Sequence, residues 1–261
     1  MKFLIQQNLM NNTQLEIIHR ALKNLPYQYI GLIPFSREIT CDEPVTGTDY
    51  IPYGSTLLTT IGLEYQWKGL YFDLATFNYR ESIKNRNDML NNGLIITVAD
   101  AISLLKKQPG EDIFIRPSLD LKHFSGQVIE SSECAKWLES AMLCDSSGSY
   151  RMDKDMEVVI SEPLKIYAEW RWFIVDSKIV DGSMYRCHNQ LIKKHEDDVS
   201  VINEAQSFAD QWLPNKNCVM DLALTDRGLK VIEFNCLNSS GFYNHDVDKI
   251  FRALYNNAVT N

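Results

Sequence analysis

Residues 219–243 read VMDLALTDRGLKVIEFNCLNSSGFY. Val219, Met220, Leu222 and Leu224 are apolar and mostly alternate, and Thr225-Asp226-Arg227-Gly228 supplies turn chemistry. Leu229, Val231, Ile232 and Phe234 continue a second strand. The stretch therefore predicts a β-hairpin. Three polar residues interrupt it: Asp221 in the first strand, Glu233 and Asn235 in the second. A buried carboxylate is costly unless it is paired, protonated or bound to a cation. Glu233 and Asn235 are two apart, so they face the same side of a strand. Tight pairing of the hairpin brings Asp221 near them. Two carboxylates and an amide oxygen on one face suit Mg²⁺, which usually shares its shell with substrate phosphates. The plainer reading places Asp221 and Glu233 at edge positions, facing water or paired with Lys or Arg. The small polar run Asn238-Ser239-Ser240-Gly241 follows directly.

A chain of 261 residues fits one large domain or two closely packed smaller ones. A net charge of -8 without a basic stripe argues against an unspecific nucleic-acid binder. No apolar run approaches the length of a membrane span. The N-terminal MKFLIQQNLMNN is too short and too polar for a signal peptide and reads as a first strand. The Cys residues form no CxxC pair, which suggests reduced packing thiols in a cytoplasmic protein. The His residues are scattered too, so a zinc site is not expected.

Along the chain, Thr13-Gln14-Leu15-Glu16 has the form of a capping box before a helix carrying Leu15, Ile18, Leu22 and Leu25. Gly54-Ser55-Thr56 either offers backbone N–H groups to an anion or is an ordinary N-cap. Leu70-Tyr71-Phe72 reads as a strand, and Pro109-Gly110 stops a helix that follows Thr97. These signals divide the chain into an N-terminal α/β domain over 1–108 and a second domain over 109–261. Arg116 ends a strand and is followed by a loop containing Lys122, an arrangement that serves a phosphate clamp or an exposed hairpin. Val158-Val159-Ile160-Ser161-Glu162 is a buried strand ending in a carboxylate. Glu169 and Arg171 share one face of the next strand, and Arg186 lies on the strand that returns. They form an internal ion pair, or the arginines hold anionic groups of a ligand.

The order Asp, turn, Gly-Leu-x-Val-Ile-Glu-Phe-Asn, Ser/Gly loop resembles the metal-binding end of the ATP-grasp ligases. The pattern Glu-x-Arg-x-Phe-x-Val-x-x-x-x-Val…Tyr-Arg, from Glu169 to Arg186, resembles the R2K clade of that superfamily, common in bacteria and phages. The resemblance covers 112–243 well, and the first hundred residues match in general style. It implies an α+β chain: two β-rich α+β subdomains clasping ATP, preceded by a small α/β domain. It further implies that Asp221, Glu233 and Asn235 hold Mg²⁺, and that Arg116 and Lys122 hold phosphates. Val159, Ile160 and Glu162 would hold the adenine. Arg171 and Arg186 would stabilise the transferred phosphoryl group or the substrate carboxylate. Ser239, Ser240 and Gly241 would orient the acyl or acceptor end. The family usually has Lys where Arg116 stands, and more glycines in the loop after it. Arg keeps the charge but not the point-donor geometry.

The implied reaction joins a carboxylate to an amine through an acylphosphate and converts ATP to ADP. The substrate class is an amino acid, peptide or protein, with neither membrane nor nucleic acid as partner. A kinase-like phosphotransfer on the same MgATP site, or a binding module that has lost catalysis, stands as the alternative. The sequence offers no nucleophilic Cys or Ser beside a His and an acid at recognisable spacing. That agrees with chemistry based on positioning and charge neutralisation.

Overall fold

The computed structural model describes residues 1–34, 36–119, 124–143, 152–188 and 190–260. Lys122, expected as a phosphate ligand, lies outside the described residues. The chain opens with β1 (Lys2–Gln6), α1 (Asn12–Ala21), β2 (Tyr27–Leu32), β3 (Ile39–Thr40), β4 (Tyr50–Tyr53), α2 (Thr56–Glu64) and α3 (Tyr79–Asn85). β5 (Leu94–Thr97), α4 (Val98–Leu105), β6 (Asp112–Pro117), β7 (Gln127–Glu130), α5 (Ser131–Leu143) and β8 (Glu157–Ser161) follow. β9 (Ile166–Val175), β10 (Lys178–Cys187), β11 (Gln190–His195), α6 (Val199–Ala209), β12 (Cys218–Thr225), β13 (Gly228–Asn235) and α7 (Val247–Thr260) complete it.

These elements pack as two compact units, one of 1–73, 168–222 and 234–261, the other of 74–167 and 223–233. Compactness thus groups separate segments, whereas the expected division after residue 108 is by sequence position. In the first unit, β1 runs parallel to both β2 and β4 in a sheet of order β3-β2-β1-β4. Phe3 and Ile5 of β1 join Ile18 of α1, Leu22 just after it, and Val247, Ile250, Phe251 and Leu254 of α7 in one core. Phe3 and Phe251 stack with ring centroids 5.0 Å apart. The α1 capping box sits at Asn11 rather than Thr13: Asn11 Oδ1 accepts from Gln14 N at 2.9 Å and Gln14 Oε1 from Asn11 N at 3.1 Å. Asn caps at least as well as Thr, and Gln14 answers it from the third helical position.

Two expectations in the N-terminal segment resolve differently. Ser55 is an ordinary N-cap of α2, its hydroxyl accepting from Leu58 N, while Gln6 Oε1 takes the Ser55 N–H at 2.9 Å. That N–H is therefore not presented to an anion. Residues 70–72 form no strand, because the Tyr71 N–H bonds to the side chain of Asn238 instead of a neighbouring strand.

The second unit holds the antiparallel sheet β5-β8-β6-β7. Its core unites Val98, Ala101 and Leu105 of α4, Ala135 and Leu138 of α5, Ile115 of β6 and Val158 of β8. The predicted hairpins appear as β9–β10 and β12–β13, in a sheet of order β11-β10-β9-β12-β13. Gly228, at φ +85°, closes the β12–β13 turn in the left-handed region. The chain leaves the first unit after Leu222 and returns to it at Phe234. Among the described residues no helix is long and apolar enough to cross a membrane.

Asn238 ties the loop after β13 to the N-terminal segment. Its buried amide accepts from Tyr71 N at 2.8 Å and donates to Pro52 O at 2.8 Å and Gly69 O at 2.9 Å. Asn238→Ala leaves these buried groups unmatched, for an expected loss of about 3 kcal/mol. Urea unfolding should show a lower midpoint at unchanged slope. A wild-type midpoint would mean that other contacts hold the loop.

Candidate active site

Of the expected site residues, Arg171, Asp221 and Asn235 meet in the first unit, and Arg116 and Glu233 meet in the second. In the first unit, Arg171 of β9 grips Asp221 of β12 with both ends of its fork. Nε donates to Oδ1 at 2.9 Å and Nη2 to Oδ2 at 2.7 Å. Asn235 Nδ2 donates to the same Oδ2 at 3.3 Å. The side chains of Arg171 and Asp221 are only 12% and 3% exposed. Burial acts against the Arg171 charge, but Asp221 outweighs it and holds the guanidinium above its ordinary pKa. The two residues that the resemblance implied for separate roles, phosphoryl stabilisation and metal binding, are thus each other's partners.

A bulge completes this cluster. The β9–β10 register runs Ser183 opposite Arg171 and Met184 opposite Trp170, then places Arg186 opposite Glu169. Tyr185 is the extra residue. Bulges re-aim side chains, and here Tyr185 stacks on Tyr243 at 4.7 Å. The Arg171 guanidinium lies 5.1 Å from the Tyr243 ring centroid and 6.0 Å from that of Tyr185. Burial, then the charges of Asp221 and Glu169, push the Tyr185 phenol up, and it stays protonated with a hydrogen bond to Glu169. Glu169 is buried and also meets Arg186 at 3.3 Å, the internal ion pair considered from sequence.

In the loop, Gly241 O accepts from Arg171 Nη1 at 3.3 Å. The Ser240 hydroxyl donates to Cys236 O at 2.7 Å, so in this structure it serves the loop's own backbone. Ser239 ends a short 3₁₀ turn. His245 Nδ1 accepts from Tyr243 N at 3.3 Å, and Nε2 lies 3.1 Å from Arg171 O, which assigns the proton to Nε2.

In the second unit, Arg116 of β6 meets Glu233 of β13 at 2.8 Å, and its guanidinium lies 4.4 Å from the Tyr79 ring centroid. Tyr79 is buried and donates to Ile232 O at 2.8 Å, which seats it beneath the arginine. Val159 and Ile160 pair on both sides, with Ile95 and Leu94 of β5 and with Arg116 and Ile115 of β6. Their backbones thus belong to the sheet interior. Glu162 lies just beyond and forms a surface pair with Arg227 at 2.8 Å.

The donor chemistry can be tested against Mg²⁺. No three His, Cys, Asp or Glu side chains converge among the described residues. Magnesium does not require three: it takes one or two carboxylates and completes its shell with water and phosphate oxygens. Asp221, Asn235 and Glu233 each carry a hard oxygen and fit in kind, while both Asp221 oxygens are engaged by Arg171 and Asn235. The Glu233 side chain is 27% exposed, so it meets a cation at lower desolvation cost than Asp221. Sequence reading did not select Tyr79, Tyr185, Tyr243 or His245. Tyr185 stood in the Tyr-Arg end of the quoted pattern without a role, and Tyr243 and His245 lie close to the Ser/Gly loop.

A family model described as ATP-grasp domain, R2K clade family 2, matches residues 94–253. The chain belongs to this family. No curated protein matches it. Among solved structures it is similar to a RimK domain ATP-grasp protein from Sphaerobacter thermophilus DSM 20745, with TM-score 0.63 and 9% identity over 98% of this chain and 100% of that one. D-cycloserine synthetase DcsG gives 0.62 and 9%, over 98% and 99%. D-alanine–D-alanine ligase from Bacillus anthracis complexed with ATP gives 0.60 and 14%, over 99% and 97%. Likeness at these identities concerns the fold alone, and it bears out the expected α+β ATP-grasp architecture.

Two outcomes test the first cluster. Arg171→Ala removes the arginine counter-charge from the buried Asp221, for an expected cost of about 3–5 kcal/mol, and adding Asp221→Asn should recover much of it. Additive losses in urea unfolding would refute the coupling. The second outcome concerns His245, whose pKa burial lowers from 6.5 to about 4. The unfolded chain takes the proton first, so its contribution is complete above pH 6.5 and fades towards pH 4. Between pH 6.5 and 5 this amounts to about 2 kcal/mol. Denaturation of His245→Gln should show that much less pH dependence, and an unchanged slope would remove His245 as the source.

Proposed function

We propose that the chain is an ADP-forming ligase that joins a carboxylate to an amine, with ATP as a substrate. The observation that carries this reading is the buried Arg171–Asp221–Asn235 group within a chain of the ATP-grasp R2K family. Residues 109–261 would form the ATP-grasp domain, preceded by the α/β segment 1–108. In the reaction, a carboxylate oxygen attacks the γ-phosphorus and ADP leaves, giving an acylphosphate. The amine then attacks the carbonyl carbon, loses a proton and displaces phosphate. The products are an amide, ADP and phosphate.

The protein's share is binding and charge compensation. Glu233, Asn235 and Asp221 would hold Mg²⁺, which when bound neutralises phosphate charge. Arg116 would turn its guanidinium to a phosphate while Tyr79 keeps its plane, with Lys122 as a further cation. Val159, Ile160 and Glu162 would frame the adenine. Arg171, oriented by Tyr185 and Tyr243, would face the carboxylate or the phosphoryl group, and Arg186 would support it through Glu169. Ser239, Ser240 and Gly241 would position the acyl or acceptor end.

Calorimetric titration with AMP-PNP tests the nucleotide site. Binding is expected in Mg²⁺, lost in EDTA, and weaker by about a hundredfold in Glu233→Ala, since even outer partners of a metal cost 10–100-fold. Glu233 is the suitable position because its partial exposure spares the fold. Wild-type affinity in Glu233→Ala would sink the metal assignment. With binding established, an amide product supports the ligase, whereas phosphate retained on the acceptor makes the chain a kinase.

A further inference from the structure

The first unit contains a cavity that the ligase reading leaves without a role. It is lined by Met10, Gln14 and Ile17 from α1 and its approach, and by the segment from Gly241 to His245. Its empty space is about 550 Å³ including the mouth. Among the described residues, no Asp, Glu, Lys or Arg lines it. His245 adds no charge, since both of its ring nitrogens are engaged with backbone. Ile17 is 40% exposed, an apolar side chain left without cover. The wall behind is rigid: Phe242 stacks on Tyr53 at 5.0 Å and on Phe173 at 5.2 Å.

The cavity also borders the charged cluster. Gly241 lines it and accepts from Arg171 Nη1, and Tyr243 lines it while its ring lies 5.1 Å from the Arg171 guanidinium. A molecule whose carboxylate faced Arg171 would have this cavity beside it.

We propose that this cavity is the side-chain pocket of the ligase substrate and selects an uncharged, mainly apolar amino-acid side chain. The inference rests on the ligase reading for its role, and its chemistry rests on the lining. A charged side chain would leave water here without meeting an opposite charge, which is costly. An apolar one is desolvated against Met10, Ile17 and Phe242, and the amides of Gln14 and Asn244 offer no counter-charge to a charged one.

The test uses the full chain and saturation-transfer NMR with four probes: the N-acetyl amides of leucine, phenylalanine, lysine and glutamate. The two apolar amides should bind at least about tenfold more tightly than the charged pair, the discrimination expected of a small apolar pocket. Gly241→Val should weaken the apolar amides by about tenfold. An added Cβ at Gly241 meets no atom within 4 Å, so the variant adds bulk at a lining position without a Cβ clash. Ile17→Asp, at a half-exposed position that tolerates charge, should shift the preference to the lysine amide. Equal binding of all four probes, binding of none, or wild-type selectivity in both variants would overturn the proposal. AMP-PNP calorimetry on the same proteins separates the two readings. Nucleotide binding with no side-chain selectivity defeats the pocket alone, and selectivity with no nucleotide binding in the wild type defeats the ligase reading alone.

Discussion

The bidentate pair between Arg171 and Asp221 constrains everything around it. Two charges are taken almost fully out of water, and neither is tolerable there alone. Partners of the pair are oriented to match its charges: Asn235 on Oδ2, the Gly241 carbonyl on Nη1, and two phenol rings beside the guanidinium. An apolar pair of similar volume would stabilise these strands as well or better. The strands are otherwise rich in Val, Leu, Ile, Phe and Trp. A buried charge pair in such surroundings is therefore weak evidence for stability.

The second unit repeats the theme at lower cost. Arg116 and Glu233 also pair, but their side chains keep 13% and 27% of their exposure. Tyr79 supports Arg116 from below while its hydroxyl bonds to Ile232 O, the residue before Glu233. A further pair orders the approach. Arg86, with no exposed side-chain surface, grips Asp88 through Nε at 2.8 Å and Nη2 at 2.6 Å. The segment after it then bonds to β13, with Leu90 N to Val231 O at 2.7 Å and Val231 N to Asp88 O at 2.9 Å. Segment 88–90 thus pairs with β13 beside Glu233 and covers part of an edge that would otherwise be open to pairing.

Much of this was legible in the sequence because strands have a period of two. Asp221, Glu233 and Asn235 stand out against apolar neighbours, and Gly228 marks the turn by the conformation it must adopt. Partner choice was not legible. Arg171 and Asp221 are 50 residues apart and Arg116 and Glu233 are 117 apart, and a charge in a strand does not name its counter-ion. The Tyr185 bulge was hidden for a related reason: an inserted residue changes which side chains meet without changing the hydrophobic alternation. At Leu70-Tyr71-Phe72 an apolar run looked like a strand, but the bond partner of Tyr71 is a side chain 167 residues away. Local pattern predicts elements, and it fails where a distant polar group claims the backbone.

The loop from Asn238 to Tyr243 joins these observations. On one side it touches the charged cluster, through the Gly241 carbonyl and the Tyr243 ring. On the other it lines a cavity that carries no formal charge among the described residues. A boundary between two such environments must be rigid, because a shift would expose the buried ion pair to an apolar space or the apolar space to water. The loop is accordingly pinned from within and without. The Asn238 amide makes three bonds to the N-terminal segment, the Ser240 hydroxyl bonds to Cys236 O, and the Tyr53 hydroxyl bonds to Ser240 O at 2.8 Å. Those bonds come from residues that look like a generic polar run in the sequence. Their physical role is to hold one short segment still between a place suited to charge and a place suited to its absence.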